Sequence, residues 1–389
     1  METKNMSVPH SVVHARNYSG AEKDGNVPVT TKKDRKEPGV KGMMGAIGKP
    51  FQKMRRRLTV TGSSGAVENI DGPSESARHL TEPAVETLPS APRDHKYQAA
   101  VRCAVTEYSG VSKKGHAPYN PRKKNQDSLI MADDPKTNSL VLCVLDGHGE
   151  HGDGVSQAFR DQLVPAMFKH PAWGTDLKHA VADAIAKVER ALLRNYRIDS
   201  EFSGTTLSMA IIRGNHLTGV NIGDSRVILG KEETPGNFTA QDITFDHKPD
   251  SPAEKERILG CGGRVFAVEY DDGIDGPPRV WLGHMDIPGL AMSRSLGDVV
   301  AHSAGVISEP EFTEYDLNPA TDRFLVVATD GLWEFVENQE TVDMVEAQSG
   351  PTDAVDVLVT EAATRWMQEE QVIDDTTIIV ANLFNYNAT

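Results

Sequence analysis

From about residue 97 onward the sequence predicts an α+β fold in which antiparallel sheet is covered by helices. Three observations carry this. Apolar, β-branched segments follow one another at hairpin spacing, most clearly in "GTTLSMAIIRGNHLTGVNIGDSRVILG" (204–230), which holds two strands or more with Gly214-Asn215 as a turn. Amphipathic helical patterns come in adjacent pairs and need a sheet face to cover. The order is strands, two helices, a long strand block, then strand–helix–helix–strand. That is not the regular alternation of a doubly wound parallel fold.

The elements run as follows. "YQAAVRCAVTEY" (97–108), "DSLIMA" (127–132) and "SLVLCVLD" (139–146) read as strands. "GVSQAFRDQLVPAMFKH" and "DLKHAVADAIAKVERALLRNYR" read as helices, the second with Val181, Ile185, Val188 and Leu192 at helical spacing. "SPAEKERILGCGG" reads as a helix bounded by Pro252 and Gly260. "RFLVVATD" is a strand, "NQETVDMVEA" and "DAVDVLVTEAATRWMQEE" are helices, and "TTIIVANLF" is the closing strand. No internal repeat interrupts this order.

Residues 1–95 read as a disordered tail, rich in Gly, Pro, Ser and charge and without periodicity. The tail carries 15 Lys/Arg against 11 Asp/Glu, and the remainder 26 against 45. An acidic domain argues against nucleic acid, whose phosphates demand basic patches. Residues 31–57 hold ten Lys/Arg and two acids, a solvated basic stretch with membrane contact as the alternative. No apolar run nears the roughly 20 residues that span a bilayer. The start "METKNMSVPH" lacks the shape of a secretory signal peptide, and Glu2 excludes N-myristoylation. Cys103, Cys143 and Cys261 are too few and too scattered for a disulfide framework or a zinc spacing. An intracellular location, cytoplasmic or nuclear, is expected.

The chemistry lies in aspartates at strand ends. Asp146 ends "LVLCVLD" and Asp330 ends "RFLVVATD", each followed by Gly. Asp224 stands in "NIGDSR", Asp298 in "SRSLGD", Asp127 opens "DSLIMA", and Asp374 and Asp375 precede the last strand. Clustered carboxylates repel one another unless a cation lies among them. All-oxygen donor sets suit Mg²⁺, Mn²⁺ or Ca²⁺ rather than zinc. The string Gly147-His148-Gly149-Glu150-His151-Gly152 matches the dinucleotide fingerprint literally. Its acids, Asp146, Glu150 and Asp153, would repel a pyrophosphate, so that reading fails. A calcium loop fails because His148 stands where an acid or amide is required.

With these residues in place, residues 97–385 resemble the metal-dependent type 2C protein phosphatases. "NQDS", "VLDGHGE", "SGTTL", "NIGDSR", "DHKPD", "GGRV", "LAMSRSLGD", "SEPEF", "VVATDGLWEFV" and "DDTTIIV" occur in family order. The resemblance implies a four-layer α-β-β-α sandwich of two mainly antiparallel sheets, with a binuclear Mg²⁺/Mn²⁺ centre at one edge. It implies that Asp146 bridges both ions, that the Gly147 carbonyl completes one, and that Asp330 and Asp374 hold the other. Asp127 would act through bound waters. Asp298 and Asp224 match a third, weaker site, and Arg122 the phosphate-holding arginine. His148 would be the general acid. Gln126 stands where part of the family has Glu, and Asp375 where Asn is usual, with Asp375 the alternative ligand to Asp374. Residues 246–288 would form a variable flap with "DDGIDGPPRVWLGHMD" as its irregular part, and Trp281 is expected to pack.

The implied activity is hydrolysis of phosphoserine and phosphothreonine in proteins by a metal-bridging hydroxide, without a phosphoenzyme, in a monomeric enzyme. A non-catalytic binding module and a small-molecule phosphohydrolase on the same fold are the alternatives.

Overall fold

The computed structural model describes residues 97–270 and 273–384. They belong to one unit, Ile47–Thr389. The tail expected for 1–95, its basic stretch 31–57 included, lies outside the described residues.

In chain order the first half comprises β1 (Tyr97–Gln98), β2 (Val105–Lys113), β3 (Ser128–Asp134), β4 (Ser139–Leu145), β5 (Gly147–His148), α1 (Gly152–Phe168) and α2 (Leu177–Leu192). Then come β6 (Gly204–Thr205), β7 (Leu207–Arg213), β8 (His216–Ile222), β9 (Arg226–Thr234), β10 (Asn237–Asp242) and α3 (Pro252–Gly260). Next are β11 (Arg264–Tyr270), β12 (Gly273–Trp281), β13 (Pro288–Leu290), β14 (Leu296–Gly297) and α4 (Val299–His302). The chain closes with β15 (Glu311–Asp316), β16 (Asp322–Ala328), α5 (Asp330–Trp333), α6 (Asn338–Glu346), α7 (Pro351–Glu369) and β17 (Thr376–Leu383).

Two antiparallel sheets dominate. One has six strands, β1-β2-β17-β16-β9-β10, and the other five, β15-β8-β7-β4-β3. Every residue of β4 is buried, which explains its unbroken apolar run: a central strand with both faces covered has no polar face to alternate. Its side chains still divide by the period of two. Leu140, Leu142 and Val144 meet Val227, Leu229, Leu325, Val327 and Ile379 of the six-stranded sheet. Val141, Cys143 and Leu145 face the other way, onto Val155, Phe159 and Leu163 of α1 and Val181, Ile185 and Val188 of α2. On the far side Ile228, Phe324, Val326, Ile378 and Val380 receive Val342 and Val345 of α6 and Val355, Leu358 and Ala362 of α7. The result is the four-layer α-β-β-α sandwich the resemblance implied. Among the described residues no helix is long and apolar enough to cross a membrane.

Three expectations are corrected. The segment 97–108 is not one strand: β1 ends at Gln98, and β2 runs on to Lys113. The stretch expected to be irregular within 246–288 contains β12, which pairs with β11 and β13. Its Pro277-Pro278 pair cannot donate to a ladder, and the register shifts between Phe266 and Val268 so that the prolines fall in a bulge. Two edge strands, β10 and β15, were not foreseen, because their half-exposed residues carry no apolar rhythm. The open edge of β10 is partly capped by one side chain. Gln339 of α6 accepts from the Ala240 amide (3.1 Å) and donates to the Phe238 carbonyl (3.1 Å). Trp281 packs as expected, 3% exposed and stacked on Phe266 at 5.1 Å.

Candidate metal centre

The strand-end aspartates converge at one end of the sandwich. β4 and β16 are neighbours across the inter-sheet core, and each delivers its aspartate at its carboxyl end. Asp146 is fixed by its main chain: its amide donates to Thr206 Oγ1 (3.0 Å), and its carbonyl accepts from the Thr206 amide (2.9 Å). Thr206 Oγ1 in turn meets Ser225 Oγ at 2.6 Å. Asp330 opens α5, whose turn is held by Trp366 Nε1 on the Gly331 carbonyl (2.8 Å) and Trp333 Nε1 on the Ala328 carbonyl (2.7 Å). Asp127, 6% exposed, accepts from Thr329 Oγ1 (3.0 Å) through Oδ2, while its Oδ1 is buried with no hydrogen-bond partner.

These groups press on each other. Burial first, then the charge of Asp375, pushes Asp127 up to about 7 against the relief given by Thr377 and Thr329. Burial, then Asp330 and Asp127, raises Asp146 well above the ordinary carboxylate range. Asp224, 2% exposed, is held at Oδ2 by Lys248 Nζ (2.7 Å), and its Oδ1 is also buried without a partner. Buried carboxylate oxygens without donors, crowded together, fit a hard divalent cation by chemistry and by charge.

Gly147 follows Asp146 where no side chain fits. A Cβ there would collide with the Gln126 and Gly152 carbonyl oxygens. Gln126 Nε2 donates to the Gly149 carbonyl (2.6 Å), and the Gln126 amide donates to Asp375 Oδ2 (2.9 Å), so this residue ties the loop before β3 to the loop after β4. Beside them, His148 Nε2 contacts Asp298 Oδ2 at 2.6 Å, leaving Nδ1 buried without a partner. Burial alone would lower the His148 pKa, but Asp298 in contact, and Asp224 and Asp330 beyond, hold it above its ordinary value. Asp298 lies at φ 42°, ψ 47°, the left-handed region, with its carboxylate against Gly204, where any Cβ would strike it.

The last two candidates divide. Asp375, 4% exposed, accepts the Gly115 amide at Oδ1 (2.7 Å) and the Gln126 amide at Oδ2. Asp374 is more open, and its Oδ1 accepts the Asp375 amide at 2.8 Å. The structure does not bring the exposed Arg122 into the cluster. Lys123, one residue on, reaches it instead, 2.5 Å from Asp375 Oδ2 and 3.4 Å from Asp374 Oδ1. Lys123 and Lys248 are the cations that sequence reasoning left unassigned, although Lys248 stands in the block "DHKPD". A further set, His170, His179 and Asp183, gathers its polar atoms on the surface near the start of α2. There His170 Nδ1 accepts the Ala172 amide (3.2 Å), which fixes its proton on Nε2, facing Asp183 at 3.4 Å. His179 Nε2 stands 3.8 Å from the same Asp183 carboxylate, an exposed ion-pair arrangement.

Comparison with known proteins identifies the family and the fold. The family model described as Protein phosphatase 2C matches residues 112–370. "Probable protein phosphatase 2C 35" of Arabidopsis thaliana is 33% identical over 293 residues, 71% of this chain and 83% of that protein. "Probable protein phosphatase 2C 64" of Oryza sativa subsp. japonica is 38% identical over 266 residues, 66% of this chain and 61% of its own length. The crystal structure of serine-threonine phosphatase 2C from Toxoplasma gondii shares the fold, with a TM-score of 0.62 at 23% identity over 73% of this chain and 98% of that one. With its sandwich, its converging aspartates and these matches, the chain belongs to the protein phosphatase 2C family.

Proposed function

We propose that this phosphatase hydrolyses phosphoserine and phosphothreonine in proteins at the aspartate cluster, with Mg²⁺ or Mn²⁺ as its cofactor. The observation that carries the reading is the crowding of Asp127 against Asp375 and of Asp146 against Asp330 and Asp127, with a buried oxygen on Asp127 and another on Asp224 that no donor meets. Asp146, the Gly147 carbonyl, Asp127, Asp330 and Asp374 would hold two ions, and Asp298 with Asp224 a third, weaker one. When bound, the ions would lower the pKa of water and offset charge on the phosphoryl oxygens.

The chain's own groups do the rest. His148 gives a proton to the departing serine or threonine alkoxide, a strongly basic leaving group. Asp298 holds its Nε2 and favours the charged ring, and Nδ1 is the nitrogen left to donate. Arg122, exposed, offers a guanidinium fork to the substrate phosphate. The phosphoryl group passes to water with no phosphoenzyme. The enzyme acts as a monomer inside the cell, in keeping with three free thiols, Cys103, Cys143 and Cys261.

The test uses the full chain stripped of metal, assayed on a phosphothreonine peptide with and without Mn²⁺. Turnover is expected only with metal. Asp146→Asn and Asp330→Asn are each expected to lose at least about a thousandfold, on the order of the several kcal/mol that metal catalysis supplies, with unchanged circular dichroism. Full activity in chelator, or in either variant, would sink the reading.

A further inference from the structure

We propose that Lys123 is a built-in counter-ion of the metal centre, one that a divalent cation must bind against at Asp374. The proposal rests on the metal reading above and names a residue that sets the affinity of that site. Asp375 staples both ends of the loop 115–126, through the Gly115 amide (2.7 Å) and the Gln126 amide (2.9 Å). Lys123 projects from this loop onto the same carboxylate at 2.5 Å and onto Asp374 at 3.4 Å. Its side chain is only 20% exposed, so water and salt screen its charge incompletely. The next residue gives the contrast. Lys124 is 72% exposed and pairs with Asp153 at 2.7 Å, carrying the same charge out into solvent.

Two consequences follow from Coulomb's law, with opposite signs. Without metal, the ammonium offsets part of the crowded negative charge of Asp374, Asp375 and, through Asp375, Asp127. With metal, it faces a cation of its own sign. Even under water-like screening, a monovalent and a divalent cation about 6 Å apart repel by enough to weaken binding roughly tenfold. Removing the charge should therefore tighten metal binding and loosen the metal-free fold.

The experiment is calorimetric titration of Mn²⁺ into the full metal-free chain, alongside melting in chelator. Lys123→Gln, which can still donate to Asp375, is expected to bind Mn²⁺ about tenfold more tightly than wild type and to melt at a lower temperature without metal. Lys123→Arg and Lys124→Gln are expected to stay within about twofold of wild type in affinity, well under the tenfold scale of one adjacent charge. Unchanged or weaker binding by Lys123→Gln overturns the proposal. So does equal tightening in Lys124→Gln, which would trace the effect to net charge. A wild-type chain that takes up no Mn²⁺ overturns the metal reading itself, whereas wild-type uptake with an unaltered Lys123→Gln overturns only the role of Lys123.

Discussion

Among the described residues, the surroundings of Glu254 and of the aspartate cluster are built in opposite ways. Glu254, in α3, is met by Arg257 Nη2 (2.8 Å), Arg294 Nη2 (2.8 Å) and Ser293 Oγ (2.6 Å). Burial resists its charge, but Arg257, Arg294 and Ser293 outweigh burial and hold the group far below the ordinary carboxylate range. Asp127 is buried and Asp146 half-buried, both with other aspartates for neighbours, and both are pushed the other way. The first cluster is completed by the chain's own arginines, which lock α3 to the Ser293-Arg294 segment. In the second, Lys123 reaches Asp375 and Asp374 and Lys248 reaches Asp224, while Asp127 and Asp146 are dominated by their aspartate neighbours. Burial alone does not separate the two; what differs is whether arginines or other aspartates dominate the surroundings of the carboxylate.

The largest expected effect is on folding, and its sign should differ between the clusters. Glu254→Ala leaves two arginines facing a void and should cost about 3 kcal/mol in urea unfolding, as for a broken buried ion pair. Asp330→Asn, measured in chelator, should leave stability unchanged or raise it, because it relieves repulsion. Equal losses in both variants would break the comparison. Next comes His148→Gln. Turnover of a phosphothreonine peptide should fall about a hundredfold, the low end for general acid catalysis, while an aryl phosphate, whose leaving group needs little protonation, should lose far less. Equal losses on the two substrates would remove His148 from the proton path.

The smallest effect is the pH dependence of the metal-free fold. The Asp127 carboxyl stands at about 7 in the folded chain, against about 4 for an unfolded aspartate. Between those values the folded state binds protons that the unfolded state has released, so stability falls as pH rises from about 5 to about 7. Glu254, depressed, stays ionised in both states across that window and adds nothing. Melting in chelator at the two ends of the window checks this. Asp127→Asn and added Mn²⁺ should each flatten the slope.

Much of this was legible in advance where burial is two-sided or periodic. β4 reads as a continuous apolar run because both its faces are covered, and α2 reads from Val181, Ile185, Val188 and Leu192 because one face is. β10 and β15 were illegible because they are half-exposed edges, specified by cross-strand partners and, for β10, by the amide of Gln339. β12 was masked by Pro277-Pro278, which the partner strand tolerates through a bulge.

The site divides the same way. The amino-acid order alone placed the aspartates at the ends of apolar strands, with glycines after Asp146 and Asp330 where nothing larger fits. Residue type and strand position decide that, and both are local. Only the tertiary structure decided which cation meets which carboxylate. Lys123 on Asp375 and Asp374, Lys248 on Asp224, and Asp298 on His148 join residues 24 to 252 positions apart. Charge pairs act through space, and distances in space follow from how the two sheets stack rather than from any short stretch of chain.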